Sequence, residues 1–85
     1  MITSGTTSVG TVATIIDGTS NSSFRLAIQN NDNTDAVFIG GSGVTITSGF
    51  AVQKLATFDL LLSAGAEVYA VSGKTGHVIS WLKTT

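Results

Sequence analysis

From Phe24 to Gln29, Phe24, Leu26 and Ile28 alternate with Arg25, Ala27 and Gln29. Successive side chains of a strand point to opposite faces, so a period of two marks a half-buried strand. The same period returns twice. Val44 and Ile46 alternate with Thr45 and Thr47. In 55–62, Phe58, Leu60 and Leu62 point one way, and Leu55, Thr57, Asp59 and Leu61 the other. Apolar content marks further strands at 9–16, 36–39, 67–71 and 77–83. Between them stand clusters of Gly, Asn, Asp, Ser and Thr, which favour turns. The reading is all-β: a small antiparallel β-sandwich or barrel of about seven short strands.

Residues 24–29 and 36–39 read as a hairpin closed by the Asn/Asp loop 30–35, and 72–76 reads as a second hairpin turn. The stretch 50–54 is ambiguous. A helix over 50–62 is an alternative, because Leu55, Phe58, Leu61 and Leu62 also fit a helical stripe.

The chain has 85 residues, which allows one domain. Residues 1–8 carry Met1, Ile2 and otherwise Ser, Thr and Gly, so they read as a polar N-terminal arm ahead of a single domain at 9–85. There is no cysteine, which excludes disulfides and thiolate metal sites. A core this small commonly leans on subunit association, and a homo-oligomer is expected. Only 11% of residues are charged, against about 25% in an average soluble domain. Two readings of that deficit stay open: a surface that lies against other protein, or a soluble β-domain with Ser/Thr-rich exposed faces.

Several function classes fall away. Arg25, Lys54, Lys74 and Lys83 are the only basic side chains and are scattered, so no nucleic-acid footprint exists. No apolar run reaches the roughly 20 residues of a membrane helix. The first residues have no basic or apolar signal-peptide region, so synthesis and folding in a cytoplasm are expected, and the sequon at Asn21 has no meaning there.

The single histidine, His77, reads as a partly exposed strand residue, and no serine sits in a nucleophile elbow. Asp17, Asp32, Asp35, Asp59 and Glu67 show no spacing that pairs two carboxylates in a pocket. The oxygen-rich run 30–35 fails the calcium-loop pattern, with Asp35 where glycine is needed and Gly41 where glutamate is needed. Gly40-Gly41-Ser42-Gly43 lacks the lysine and spacing of a phosphate loop. No enzyme, cofactor or metal is expected.

Interface candidates remain. Thr3, Thr6 and Thr7 are β-branched residues on the arm, suited to extend a neighbour's sheet edge. Trp81, with Ile79 on the same strand face, is the best-placed anchor, although core packing is the default for a lone tryptophan.

Residues 36–85 resemble small structural proteins of tailed-phage virions. The likeness runs through Val37-Phe38-Ile39-Gly40-Gly41, Ser42-Gly43-Val44-Thr45, Ser48-Gly49-Phe50-Ala51-Val52, the leucine-rich strand, and Tyr69-Ala70-Val71 before a closing apolar strand. Gly43 stands where an acidic residue is common, and Ala51 follows Phe50 where proline is frequent. The resemblance implies a β-sandwich capsid decoration, cement or minor head protein. It would sit on the virion surface, bind the major capsid protein, and be a trimer at a symmetric site. The alternative is a tail-tip or fibre module that binds a host-surface carbohydrate.

Overall fold

The computed structural model describes residues 1–17 and 22–85; residues 18–21, inside the loop expected at 17–22 and including Asn21, lie outside the described residues. Among the described residues there are eight strands and no helix: β1 (Ile2–Val9), β2 (Thr14–Asp17), β3 (Phe24–Asn30), β4 (Val37–Gly40), β5 (Phe50–Val52), β6 (Thr57–Leu62), β7 (Val68–Val71) and β8 (His77–Thr84). The first sheet runs β1-β8-β3-β6 and the second β2-β7-β4-β5. All pairings are antiparallel. Two four-stranded antiparallel sheets in this order form a jelly roll, one of the double-sheet answers to the edge problem of β-proteins.

The alternations in the sequence set which side chains enter. Phe24, Leu26 and Ile28 are buried, and β6 places Phe58, Leu60 and Leu62 inward while Thr57, Asp59 and Leu61 face out. With Val9, Ile16, Val37, Ile39, Val52 and Ile79 they meet between the sheets as one core. Each full burial contributes about 1.5–3 kcal/mol.

Four expectations are corrected. First, residues 1–8 are not a free arm. Residues 2–9 form β1, an edge strand paired in unbroken register to β8 from Ile2↔Thr84 to Val9↔His77. Backbone hydrogen bonding holds it where side-chain burial would not. Gly5 also lets the Trp81 ring lie against the strand: a Cβ there would stand 2.8 Å from Trp81 Cζ2.

Second, 9–16 is not one strand. The chain turns near Gly10 and crosses to the second sheet, where Ser72 N donates to Gly10 O at 2.8 Å.

Third, β3 and β4 are no hairpin, and neither are β7 and β8. In each case the two strands lie in different sheets, so 30–35 and 72–76 are corners over the end of the sandwich. Only β4 and β5 are consecutive strands paired in one sheet.

Fourth, 44–47 is a turn. Thr45 Oγ1 accepts from Ser48 N, and Gly49 N donates to Thr45 O at 2.9 Å, so local Ser/Thr bonds replace a ladder. Val44 plugs inward against Gly49, where a Cβ would meet Val44 Cγ2 at 2.8 Å. The ambiguous 50–54 supplies β5, and Leu55 belongs to the turn before β6, with φ +58°.

Candidate functional site

Two constellations hold polar or exposed groups that could act. The first closes one end of the sandwich. Asn30, at the end of β3, is fully buried, and its Nδ2 donates to the carbonyls of Asp35 (2.9 Å), Val52 (3.0 Å) and Gln53 (3.2 Å). That fixes Oδ1 as the acceptor. It receives Asp32 N at 3.0 Å and His77 Nε2 at 2.7 Å. His77 therefore carries its proton on Nε2, and bare Nδ1 accepts the Ser72 hydroxyl at 2.8 Å. Lys74 N donates in turn to Ser72 Oγ at 3.3 Å.

His77 and Ser72 are each 1% exposed, so the expectation of a partly exposed histidine is corrected. The reason is long-range: Asn30, 47 positions away, supplies the partner that makes burial tolerable. Burial pushes the His77 pKa down, against the pull of Asp32.

Above this network the corner loops are tied together. Lys74 Nζ donates to Asp32 Oδ1 at 2.9 Å and lies 3.1 Å from Asp35 Oδ2. Asp32 Oδ2 also accepts from Thr34 and from Asp35 N. Lys74 first, then these backbone and hydroxyl donors, hold the Asp32 carboxyl far below the usual carboxylate range. Asp32, then Asp35, raise the Lys74 pKa. Both carboxylates of the oxygen-rich run are thereby engaged by a lysine.

The second constellation is the outer face of the first sheet. Register sets its rows: Ile2, Thr84, Arg25, Leu61; then Ser4, Leu82, Ala27, Asp59; then Thr6, Ser80, Gln29, Thr57; and Ser8 beside Val78. Ile2, Leu61, Val78 and Leu82 are exposed there. The charged side chains in these rows are Arg25 and Asp59, an exposed pair 3.9 Å apart. Next to β6, the flank of the sandwich is open. A cavity of about 310 Å³ is lined mainly by the apolar Ile39, Phe50, Phe58, Leu60, Leu62 and Val68, with Glu67 the charged residue among its walls. Phe50 stacks on Phe58, with ring centroids 4.7 Å apart, yet remains 58% exposed.

The structure does not gather the five interface candidates on one surface. Ile79 is fully buried in the core, which removes it, because its strand face points between the sheets. Trp81 shares that inward face and packs half-buried on the core and on Gly5; its Nε1 has no partner among the described residues. Thr7 is half-buried and donates its hydroxyl to Ile16 O at 3.1 Å. Thr3 and Thr6 are exposed, but only Thr6 is on the outer face. The residues missed were Leu61, Val78 and Leu82. The period of two carried a signal for Leu61, which it sets opposite Phe58, Leu60 and Leu62.

No protein-family model matches the chain, and no curated protein matches it. Among solved structures, it is similar to a chain of the Bacillus endospore appendages, described as a novel family of disulfide-linked pili. The TM-score is 0.66 and the identity 12%, over 100% of this chain and 85% of that one. The likeness is one of fold.

Proposed function

We propose that this chain is a structural protein of a tailed-phage virion, decorating the capsid by binding the major capsid protein through the outer face of its first sheet. The observation that carries the reading is that face: broad, nearly uncharged, and dotted with exposed Ile2, Leu61, Val78 and Leu82. Depletion of charge is what the core of a protein interface shows. The jelly roll is a fold that viral capsid domains use, an analogy that agrees with the resemblance of residues 36–85. Repetition over a symmetric shell multiplies a modest contact, and a trimer at a symmetry axis serves this well.

A catalytic reading has less support. Ser72 and His77 are in hydrogen-bond contact, but both are sealed from solvent, and the second imidazole nitrogen is given to Asn30. The carbohydrate alternative has Phe50 as its exposed aromatic among the described residues. A second structural reading, a subunit of a surface fibre, is favoured by the fold shared with an appendage protein. Without cysteine, such a fibre would be held without disulfides.

An antibody raised against the chain separates these readings by electron microscopy of particles from the host that carries the gene. The capsid reading expects label over phage heads. Label on tails supports the carbohydrate module, and label on cell-surface filaments supports the fibre subunit; either result overturns the capsid reading.

A further inference from the structure

We propose that copies of this chain associate head-to-tail through the first sheet, strand β1 of one copy adding to strand β6 of the next. This goes beyond the capsid reading and does not depend on it.

Strand direction is the first argument. The order β1-β8-β3-β6 is antiparallel at every step, so β1 and β6 run in opposite directions at opposite edges. Two copies placed side by side in the same orientation therefore meet β6 to β1 as an antiparallel pair. That ladder is slightly more stable per residue than a parallel one.

The second argument is the absence of guards. Natural sheet edges are blunted by charge, proline, bulges or shortness. The second sheet follows this rule: its edges are β2, four residues with a register shift between Ile15 and Asp17, and β5, three residues. The first sheet does not. β1 has eight residues in continuous register with no charged side chain, and β6 has six residues with only Asp59 charged.

Charge also selects the pairing. Two β6 edges brought together around a two-fold axis would bring Asp59 close to its own copy, and like charges across a ladder destabilise. Uncharged β1 against β6 leaves Asp59 with Arg25.

Finally, the β6 edge borders the open flank. A strand added there extends the first sheet over the half-exposed side chains of Phe50 and Phe58.

A contact of this type is heterologous: it closes into a ring where the rotation between copies permits, and otherwise grows as a filament. A contact along a six-residue edge is short for a stable interface, so assembly is expected at on the order of tens of micromolar rather than nanomolar.

The test uses two blocked variants, each altered only at exposed, outward-facing positions. Ser4→Glu with Thr6→Glu blocks β1, and Thr57→Glu with Leu61→Glu blocks β6. Far-UV circular dichroism confirms folding, and the single changes Ser4→Glu and Leu61→Glu stand in for any double variant that fails it. In sedimentation velocity at about 100 μM, the natural sequence should form species of three or more copies. Each blocked variant alone should associate at least tenfold more weakly. Mixed, they should form a one-to-one complex that grows no further, because each supplies the one edge the other lacks. A monomeric natural sequence, a β6-blocked variant that dimerises by itself through β1, or a mixture that forms no complex would overturn the proposal.

Discussion

The His77 corner and the open flank of this sandwich treat exposed and buried groups in opposite ways. At the His77 corner, polar atoms are taken wholly out of water and given partners: Asn30, Ser72 and His77 are 0–1% exposed, and every side-chain N and O of the three is hydrogen-bonded. At the flank beside β6, apolar side chains are left half in water around an open cavity. A buried polar network fixes one geometry, because each lost bond leaves a costly orphan. An open apolar flank fixes little and is free to meet another surface. The corner thus holds the fold, and the flank with its neighbouring sheet face is available for contact.

The largest expected effect lies at the corner. Asn30→Ala removes donors from three carbonyls and the acceptor of two N–H groups. It should cost about 3 kcal/mol or more, since each orphaned buried group costs about 1–3 kcal/mol. Urea unfolding measures it; a cost below about 1 kcal/mol would dissolve the contrast between corner and flank.

Gly5→Ala tests how firmly β1 is seated on the fold. Its Cβ would press on the Trp81 ring at 2.8 Å, and a loss of about 1–3 kcal/mol is expected from overpacking. An unchanged midpoint would mean that the ring moves freely.

Acidification tests the corner without mutation. Burial lowers the pKa of folded His77, so below the ordinary value of 6.5 the unfolded chain binds a proton that the folded chain refuses. Stability is therefore greatest above 6.5 and falls as pH drops from there toward the folded pKa, by at most about 1.4 kcal/mol per pH unit. Of the charged groups near it, Asp32 and Asp35 favour protonation and Lys74 opposes it. The depressed carboxyl of Asp32 adds its own loss as pH falls through the ordinary 3.8. Thermal melts between pH 7.5 and 4.5 should show the slope, and His77→Gln should flatten it.

The smallest effect belongs to the open flank. Phe50→Ser removes an exposed ring and one stacking contact, so stability should change by about 0.5–1.5 kcal/mol at most. A loss as large as that of Asn30→Ala would make the flank part of the core.

The inward positions of β3 and β6 were legible because backbone pleating is local: Leu26 and Leu60 face the core for the same reason that Arg25 and Leu61 do not. Turn chemistry was legible too, but not its destination. Asn, Asp, Ser and Gly satisfy a tight hairpin and a corner between sheets with the same local hydrogen bonds. So 30–35 and 72–76 could be recognised as turns and still be assigned the wrong partner strands. At 44–47 the alternation of Val and Thr misled, since threonine hydroxyls bond as well to a local backbone as they pack on a pleat.

The sequence by itself determined a β-rich chain, the face each core residue of β3 presents, and a surface poor in charge, because these follow from composition and from a two-residue period; at 57–62 the structure chose the strand over a helix. Tertiary structure alone decided that β1 belongs to the fold, that β3 and β4 lie in different sheets, and that His77 is buried. Each of those depends on a partner far along the chain: β8 for β1, the opposite sheet for β3 and β4, and Asn30 for His77. Pairing energies between distant segments leave no periodic trace in either segment alone.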